Sequence, residues 1–132
     1  MMAKYYIGSI REEEGQLKSR VLMKNQRKFL GSLQKNKWQI GLGHMLKTDR
    51  YREKGVDVLI AVDMIIGAYE NLYDILILVS SDTDLLPAID KVKKIGKKVE
   101  YIGFSHKPSY AMIANCNGYL FRQEDLENFL TG

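Results

Sequence analysis

The pattern of apolar and polar positions changes period along the chain, from runs typical of strands to repeats typical of helices. The unbroken apolar run Ile75–Val79 predicts a buried strand. The apolar residues after it recur every three or four positions, which predicts a helix over residues 84–95. Gly96 follows directly and predicts a glycine cap at the end of this helix.

Strand and helix patterns alternate over the rest of the chain as well. Strands are predicted at 5–7, 38–46, 99–104 and 119–122, and helices at 12–36, 56–72, 108–115 and 124–130. The segment between 47 and 55 is charged and predicts a loop. Alternating strands and helices predict an α/β fold with a mostly parallel central sheet flanked by helices.

Two carboxylates, Asp82 and Asp84, follow the apolar run where the predicted strand meets the predicted helix. Ligands bind at the carboxyl ends of strands in open α/β sheets. Two acids two residues apart can share one divalent cation, which prefers hard oxygen ligands. Capping of the helix by Ser81 or Asp82 is the commoner use of such residues. The motif alone leaves both interpretations open.

A second acidic position lies at the start of the helix predicted at 56–72. Asp57 falls in its first turn and Asp63 lies six residues further on. Six residues rotate a helix through about 600°, so the two acids point in different directions. At most one of them joins Asp82 and Asp84. We favour Asp57 because it lies at the end of an element, although complementing the helix dipole is its alternative role.

Composition limits the kinds of partner and cellular compartment that we expect, but it does not decide the function. The 132 residues include 20 Lys+Arg and 16 Asp+Glu, and the formal charge of +4 permits a polyanionic partner without requiring one. Cys116 is the only cysteine, which excludes an intrachain disulfide and suits a reducing cytoplasm. No apolar run approaches the roughly 20 residues that span a bilayer, so we expect no membrane association.

The acidic motifs, in their order and spacing, resemble one known family. Lys54-Gly55-Val56-Asp57 and Asp63 precede an apolar strand that leads into Ser80–Pro87, and Gly96–Val99 follows. Together these segments are similar to the NYN domain, and more narrowly to its LabA-like branch within the PIN-like nuclease superfamily. The resemblance covers nearly the whole chain.

The resemblance implies a PIN-like fold with carboxylates clustered at the carboxyl-terminal edge of the sheet, and metal-dependent hydrolysis of RNA. Asp57, Asp82 and Asp84 match the acids of the family's two motifs, which makes them the catalytic and metal-binding residues. Mg²⁺ or Mn²⁺ is the implied cofactor, because carboxylate-held cations stabilise phosphate charge and activate water. Ser80 and Ser81 match the small polar residues before these acids.

Basic side chains near the same predicted edge are candidate contacts to RNA phosphates. With Ser80 and Ser81, the predicted substrate-binding residues are Lys47, Arg50, Lys54 and Lys107. The lysines between positions 91 and 98 lie at the far end of a helix that begins at the acidic pair, so they point away from it. Steering of RNA by phosphate attraction is one interpretation of this lysine run, and a solvated helix face is the commoner one.

The beginning of the family's pattern is not found here. The family's domain starts with an apolar strand that ends in Asp and lies centrally, beside the strand matching 75–79. This sequence opens at Tyr5–Ile7, which resembles the family's second strand. We therefore expect a single domain over 1–132 that is N-terminally incomplete. Three explanations are open: the remaining strands close up, a second copy of the chain fills the gap, or the sequence is a fragment. We favour a homodimer, because exposed strand edges favour pairing between chains.

Two functions remain open after these arguments. One is a divalent-metal-dependent ribonuclease that uses Asp57, Asp82 and Asp84. The other is a catalytically incomplete module that acts in RNA binding or protein interaction. The absence of the family's first-strand Asp, which the resemblance implies is a principal metal ligand, favours this module. A haloacid-dehalogenase-like phosphatase is more distant, because its acidic motif usually lies on the first strand of the core. A metal-dependent sugar-nucleotide transferase would need a longer chain.

Overall fold

The computed structural model describes residues 2–9, 17–47 and 51–131. The chain divides into two compact units, Met1–Ile60 and Ala61–Gly132, and the boundary falls inside a helix. Each unit contains a three-stranded sheet with its own strand order. No helix of the described segments has the length and apolar character needed to cross a membrane.

The first unit is built around a mixed sheet. Its elements are β1 (Lys4–Ser9), α1 (Leu17–Lys35), β2 (Gln39–Lys47) and β3 (Tyr51–Lys54). The strand order is β1-β2-β3, with β1 parallel to β2 and β2 antiparallel to β3. The parallel pair follows from the helix between its strands, since a parallel connection needs a crossover element.

The sequence-based prediction of a loop over residues 47–55 is wrong for Tyr51–Lys54, which forms β3. This strand pairs with the end of β2, where His44 lies opposite Lys54. The segment lacks an apolar alternation, but charged residues are common on edge strands because they discourage further pairing. Pairing here comes from the neighbouring strand, which local pattern does not reveal.

The second unit is a parallel sheet with helices between its strands. Its elements are α2 (Val56–Tyr69, which begins in the first unit), β4 (Ile75–Leu78), a short 3₁₀ helix (Thr83–Leu85), α3 (Leu86–Ile95), β5 (Lys98–Phe104), α4 (Tyr110–Asn115), β6 (Asn117–Phe121) and α5 (Gln123–Thr131). The strand order is β4-β5-β6, and both pairings are parallel. These observations confirm the predicted α/β class with parallel strands flanked by helices.

The core of this second unit lies between α3 and β5. The buried face of α3 carries Ile89 and Val92, both fully buried, and Leu85 lies just before it. This confirms the apolar face predicted from the spacing. The helix ends at Gly96, whose φ of 106° is the left-handed conformation of a glycine cap.

The apolar strand β4 lies at the edge of its sheet. It pairs with β5 along its whole length, from Ile75 opposite Lys98 to Leu78 opposite Tyr101. Leu78 is buried, but Ile75 and Ile77 are each 49% exposed. The run predicted a buried strand, whereas the face of β4 that carries Ile75 and Ile77 is half open.

Tyr101 on β5 is the largest of the fully buried side chains. Its ring lies across Gly103, two residues further along the same face of the strand, and a Cβ at position 103 would overlap the ring. Only glycine leaves this space open. The packing of Tyr101 therefore depends on the residue at 103.

We expect Gly103→Ala to lower the free energy of unfolding by about 1–3 kcal/mol, because the added methyl group overpacks a close-packed core. Urea unfolding followed by circular dichroism measures this change. Gly31→Ala is the matched control: a Cβ there meets nothing within 4 Å. Since Gly31 is inside α1, alanine should stabilise the protein by about 0.5–1 kcal/mol. Equal effects of the two substitutions would contradict the packing argument.

Candidate metal centre

The segment Ser80–Asp84 connects the carboxyl end of β4 to α3. Asp82 has an extended backbone, and its Oδ1 accepts a hydrogen bond from the backbone N–H of Asp84 at 2.9 Å. Asp82 is thus the N-cap of the short 3₁₀ helix, which confirms the capping interpretation for this residue. A carboxylate has about four lone-pair sites, so one capping bond leaves capacity for a cation.

The two serines brace this segment from both sides. Ser80 Oγ accepts a hydrogen bond from the backbone N–H of Asp82 at 3.2 Å. Ser81 Oγ lies 3.1 Å from the hydroxyl of Tyr101, and either oxygen can be the donor. The first contact fixes the backbone at Asp82, and the second ties the segment to the buried core.

Sequence reasoning missed Tyr101. Its hydroxyl reaches Ser81 because Tyr101 lies opposite Leu78, the last residue of β4. That position follows from the register between β4 and β5, which the sequence pattern does not define. An aromatic residue with a hydroxyl on a predicted strand was the one available signal.

Asp57 is positioned by the turn from β3 into α2. Gly55 connects the two elements with a φ of +80°, a conformation that residues with a side chain rarely adopt. Its carbonyl accepts a hydrogen bond from the N–H of Leu59 at 3.0 Å, which closes the first turn of the helix. Asp57 lies in that first turn and is exposed.

Asp57, Asp82 and Asp84 form a carboxylate cluster. One oxygen from each residue lies within 4.8 Å of the other two. Asp82 is half-buried and the other two are exposed. Two oxygens bound to one Mg²⁺ lie up to about 4.2 Å apart, given metal–oxygen distances of about 2.1 Å. The donor set and spacing fit a hard divalent cation after small side-chain rotations. The cluster contains Asp57 and not Asp63.

The chain belongs to the NYN domain family. The family model matches residues 3–127 of the 132. No curated protein and no solved structure matches the chain. NYN domains are PIN-like nuclease relatives that act on RNA, generally with a divalent metal, and the carboxylate cluster of this chain fits that chemistry.

The predicted substrate-binding residues of this NYN domain are described only in part. Lys47 and Lys54 are the last residues of β2 and β3, with side chains outside the description, and Arg50 lies outside the described residues. Lys107 is exposed in the loop after β5. This loop leaves the same carboxyl edge of the parallel sheet from which Ser80–Asp84 leaves β4.

Two other reactive side chains of the NYN domain show no catalytic arrangement. His106 is exposed after β5, with its ring 6.0 Å from that of Phe104. Cys116 precedes β6, at the opposite end of the strands from Asp82. Burial raises the pKa of the Cys116 thiol, which keeps it protonated at neutral pH. A thiol in that form is a poor nucleophile.

We expect Tyr101→Phe to cost about 1 kcal/mol of stability, because it removes one hydrogen bond and keeps the ring. Ser81→Ala should cost about 1–3 kcal/mol of stability, because the buried hydroxyl of Tyr101 loses its hydrogen bond to Ser81. The double variant should cost clearly less than the sum, with a coupling above about 0.5 kcal/mol in urea unfolding. Tyr101→Phe with Ser105→Ala is the control pair and should be additive. Additivity of Tyr101 and Ser81 would show that the bond contributes nothing.

Proposed function

We propose that this NYN domain is a divalent-metal-dependent ribonuclease-like protein that hydrolyses RNA phosphodiesters through Asp57, Asp82 and Asp84. The observation that carries the proposal is the approach of three carboxylate oxygens within 4.8 Å. Two of these acids follow the carboxyl end of a parallel strand, the edge at which α/β sheets bind ligands. Membership of the NYN family supplies the substrate class.

The acids of the cluster would hold Mg²⁺ or Mn²⁺. When bound, the cation supplies Lewis-acid stabilisation of phosphate charge and lowers the pKa of water. Asp82 is oriented by its bond to the N–H of Asp84, so the loop holds its carboxylate in one direction. Attack of water on phosphorus with the 3′ oxygen as leaving group yields 5′-phosphate and 3′-hydroxyl ends.

Contacts to the RNA strand are assigned to Lys47, Arg50, Lys54 and Lys107, with the serines of the acidic loop. The net charge of +4 supports attraction of a polyanion. Ser80 and Ser81 already make hydrogen bonds within the protein. Their contribution to RNA binding is therefore mainly the positioning of the neighbouring acids.

The decisive variant is Asp82→Asn, because Asn caps helices as well as Asp and preserves the bond to Asp84. It removes one negative charge from the cluster and leaves the fold intact. We expect cleavage of mixed single-stranded RNA with Mn²⁺ to fall by about 100-fold or more, since loss of a ligand charge weakens the hold on a hard cation. Gel analysis of 5′-labelled RNA measures the rate, and electron paramagnetic resonance measures bound Mn²⁺.

Asp90→Asn is the matched control, because Asp90 is an exposed acid on α3 outside the cluster. It should cleave and bind Mn²⁺ like the parent protein. Equal cleavage by the parent and by Asp82→Asn would refute the assigned centre.

The second candidate function is a catalytically incomplete module that binds RNA or another protein. The exposure of Asp57 and Asp84 favours it, because solvated acids hold a cation weakly. RNA binding by the parent protein without Mn²⁺-dependent cleavage would support this module over the nuclease.

We also propose that the protein is a cytoplasmic homodimer of the LabA-like branch, and that a strand from a second copy fills the place beside β4. The exposure of apolar residues along β4 supports this, with Ile75 and Ile77 each 49% and Val79 60% exposed. Unpaired apolar edges favour pairing between chains. The single cysteine suits a reducing compartment.

For the dimer, we expect sedimentation velocity to give about twice the chain mass of 15.2 kDa at micromolar concentration. Ile77→Lys should shift the protein toward monomer, because a charge on the exposed face of β4 opposes pairing. Glu124→Lys, at an exposed position of α5, is the control and should leave the mass unchanged. A monomer at all concentrations would contradict the proposal.

A further inference from the structure

An open surface cavity of about 470 Å³ lies in the second unit, at the end of the sheet where its strands begin. It is formed by the carboxyl end of α3, the start of β5 and the junction between α4 and β6. The strands run in parallel, so Asp82 and Asp84 leave the other edge of the same sheet. The length of β5 separates the two places by roughly 20 Å. The cavity is therefore distinct from the carboxylate cluster.

The lining of this cavity is positively charged. Lys93, Lys97 and Lys98 line it, and none of the lining residues is Asp or Glu. Asn115 and Asn117 are also among the lining residues. Asp74 lies outside the lining and reaches the ammonium group of Lys97 at 3.6 Å. The lining therefore carries an excess of positive charge even after this ion pair.

Two of the lysines are held in place by protein acceptors. The ammonium of Lys93 donates to the carbonyl of Asn115 at 2.8 Å, and that of Lys97 donates to Asn71 Oδ1. An ammonium has three N–H donors, so one such bond positions the charge and leaves donors for a ligand. Lys98 lies outside the helix as the first residue of β5.

Helix-end electrostatics explain only part of this arrangement. Lys93 lies in the last turn of α3, where a cation complements the helix dipole. Lys98 does not complement a helix dipole in this way, because it is the first residue of a strand. Its presence beside the other two charges favours an anionic ligand.

We propose that this cavity binds the phosphate group of a nucleotide, either free or within an RNA strand. Phosphate is the anion that lysine recognises as a point charge. The neutral thiol of Cys116, also in the lining, adds no opposing charge. The site acts separately from the carboxylate cluster and does not depend on the proposed nuclease activity.

The test uses the whole chain in EDTA, so that no divalent cation occupies the carboxylate cluster. Isothermal titration with inorganic phosphate, 5′-AMP and a ten-nucleotide single-stranded RNA separates the two sources of phosphate. We expect Lys93→Gln/Lys98→Gln to weaken the binding of 5′-AMP or RNA at least tenfold. For RNA, the slope of log affinity against log salt should also fall by about 1 to 2.

Lys91→Gln/Lys94→Gln is the matched control. Both residues are exposed on α3 and lie outside the lining, and their substitution removes the same charge as the first double variant. It should weaken binding less than threefold. Lys98→Gln alone keeps the bond between Lys93 and Asn115, so it still tests the site if the double variant is unstable. Alkylation of Cys116, the only cysteine, gives a second readout: 5′-AMP should slow it in the parent and not in Lys93→Gln/Lys98→Gln.

Tight binding of 5′-AMP would assign the site to a free nucleotide, and binding of the RNA alone would assign it to a strand. No binding of any probe, or equal weakening by both double variants, would overturn the proposal. Asp82→Asn should bind all three probes like the parent. Unchanged cleavage by Asp82→Asn, together with intact phosphate binding, would therefore refute the nuclease centre and leave the phosphate site standing.

Discussion

The contact between the buried hydroxyl of Tyr101 and Ser81 is the constraint on which the acidic loop depends. A buried hydroxyl without a partner is costly, so Tyr101 holds Ser81 at 3.1 Å and with it the segment that carries Asp82 and Asp84. The ring reaches this place because position 103 is glycine. Core packing on β5 thus sets the geometry of the acids.

Asp82 combines a helix cap with a place in the carboxylate cluster. One oxygen caps the 3₁₀ helix, and the carboxylate still takes part in the cluster with Asp57 and Asp84. The capping bond removes conformational freedom from the side chain before any ligand arrives. Because the Asp82 side chain is already ordered, binding a cation there would cost less conformational entropy. This saving would partly offset the weaker hold on a cation by the two exposed acids.

Much of the fold is readable from the sequence, because the spacing of apolar residues is a local property. The strand after Tyr73, the apolar face of α3 and its glycine end were all predicted from spacing, and the order of the acidic motifs indicated the NYN family. The features that the sequence did not reveal depend on how the strands pair. The strand β3 exists through its partner β2, and the role of Tyr101 follows from its register with Leu78. The exposure of Ile75 and Ile77 likewise depends on which face of the folded sheet is covered, and the apolar run does not reveal this.

Because the strands of the second unit are parallel, the two ends of its sheet differ in charge. All three begin at the end where Lys93, Lys97 and Lys98 lie, and β4 ends at Asp82 and Asp84. Unlike charges at opposite ends of one sheet create a field along the strands, which acts on a polyanion before any contact forms. If both proposed sites form, a polyanion would be attracted at the lysine end, and a bound cation would reduce its repulsion at the acidic end. The direction of the strands would then separate the two kinds of contact along the sheet.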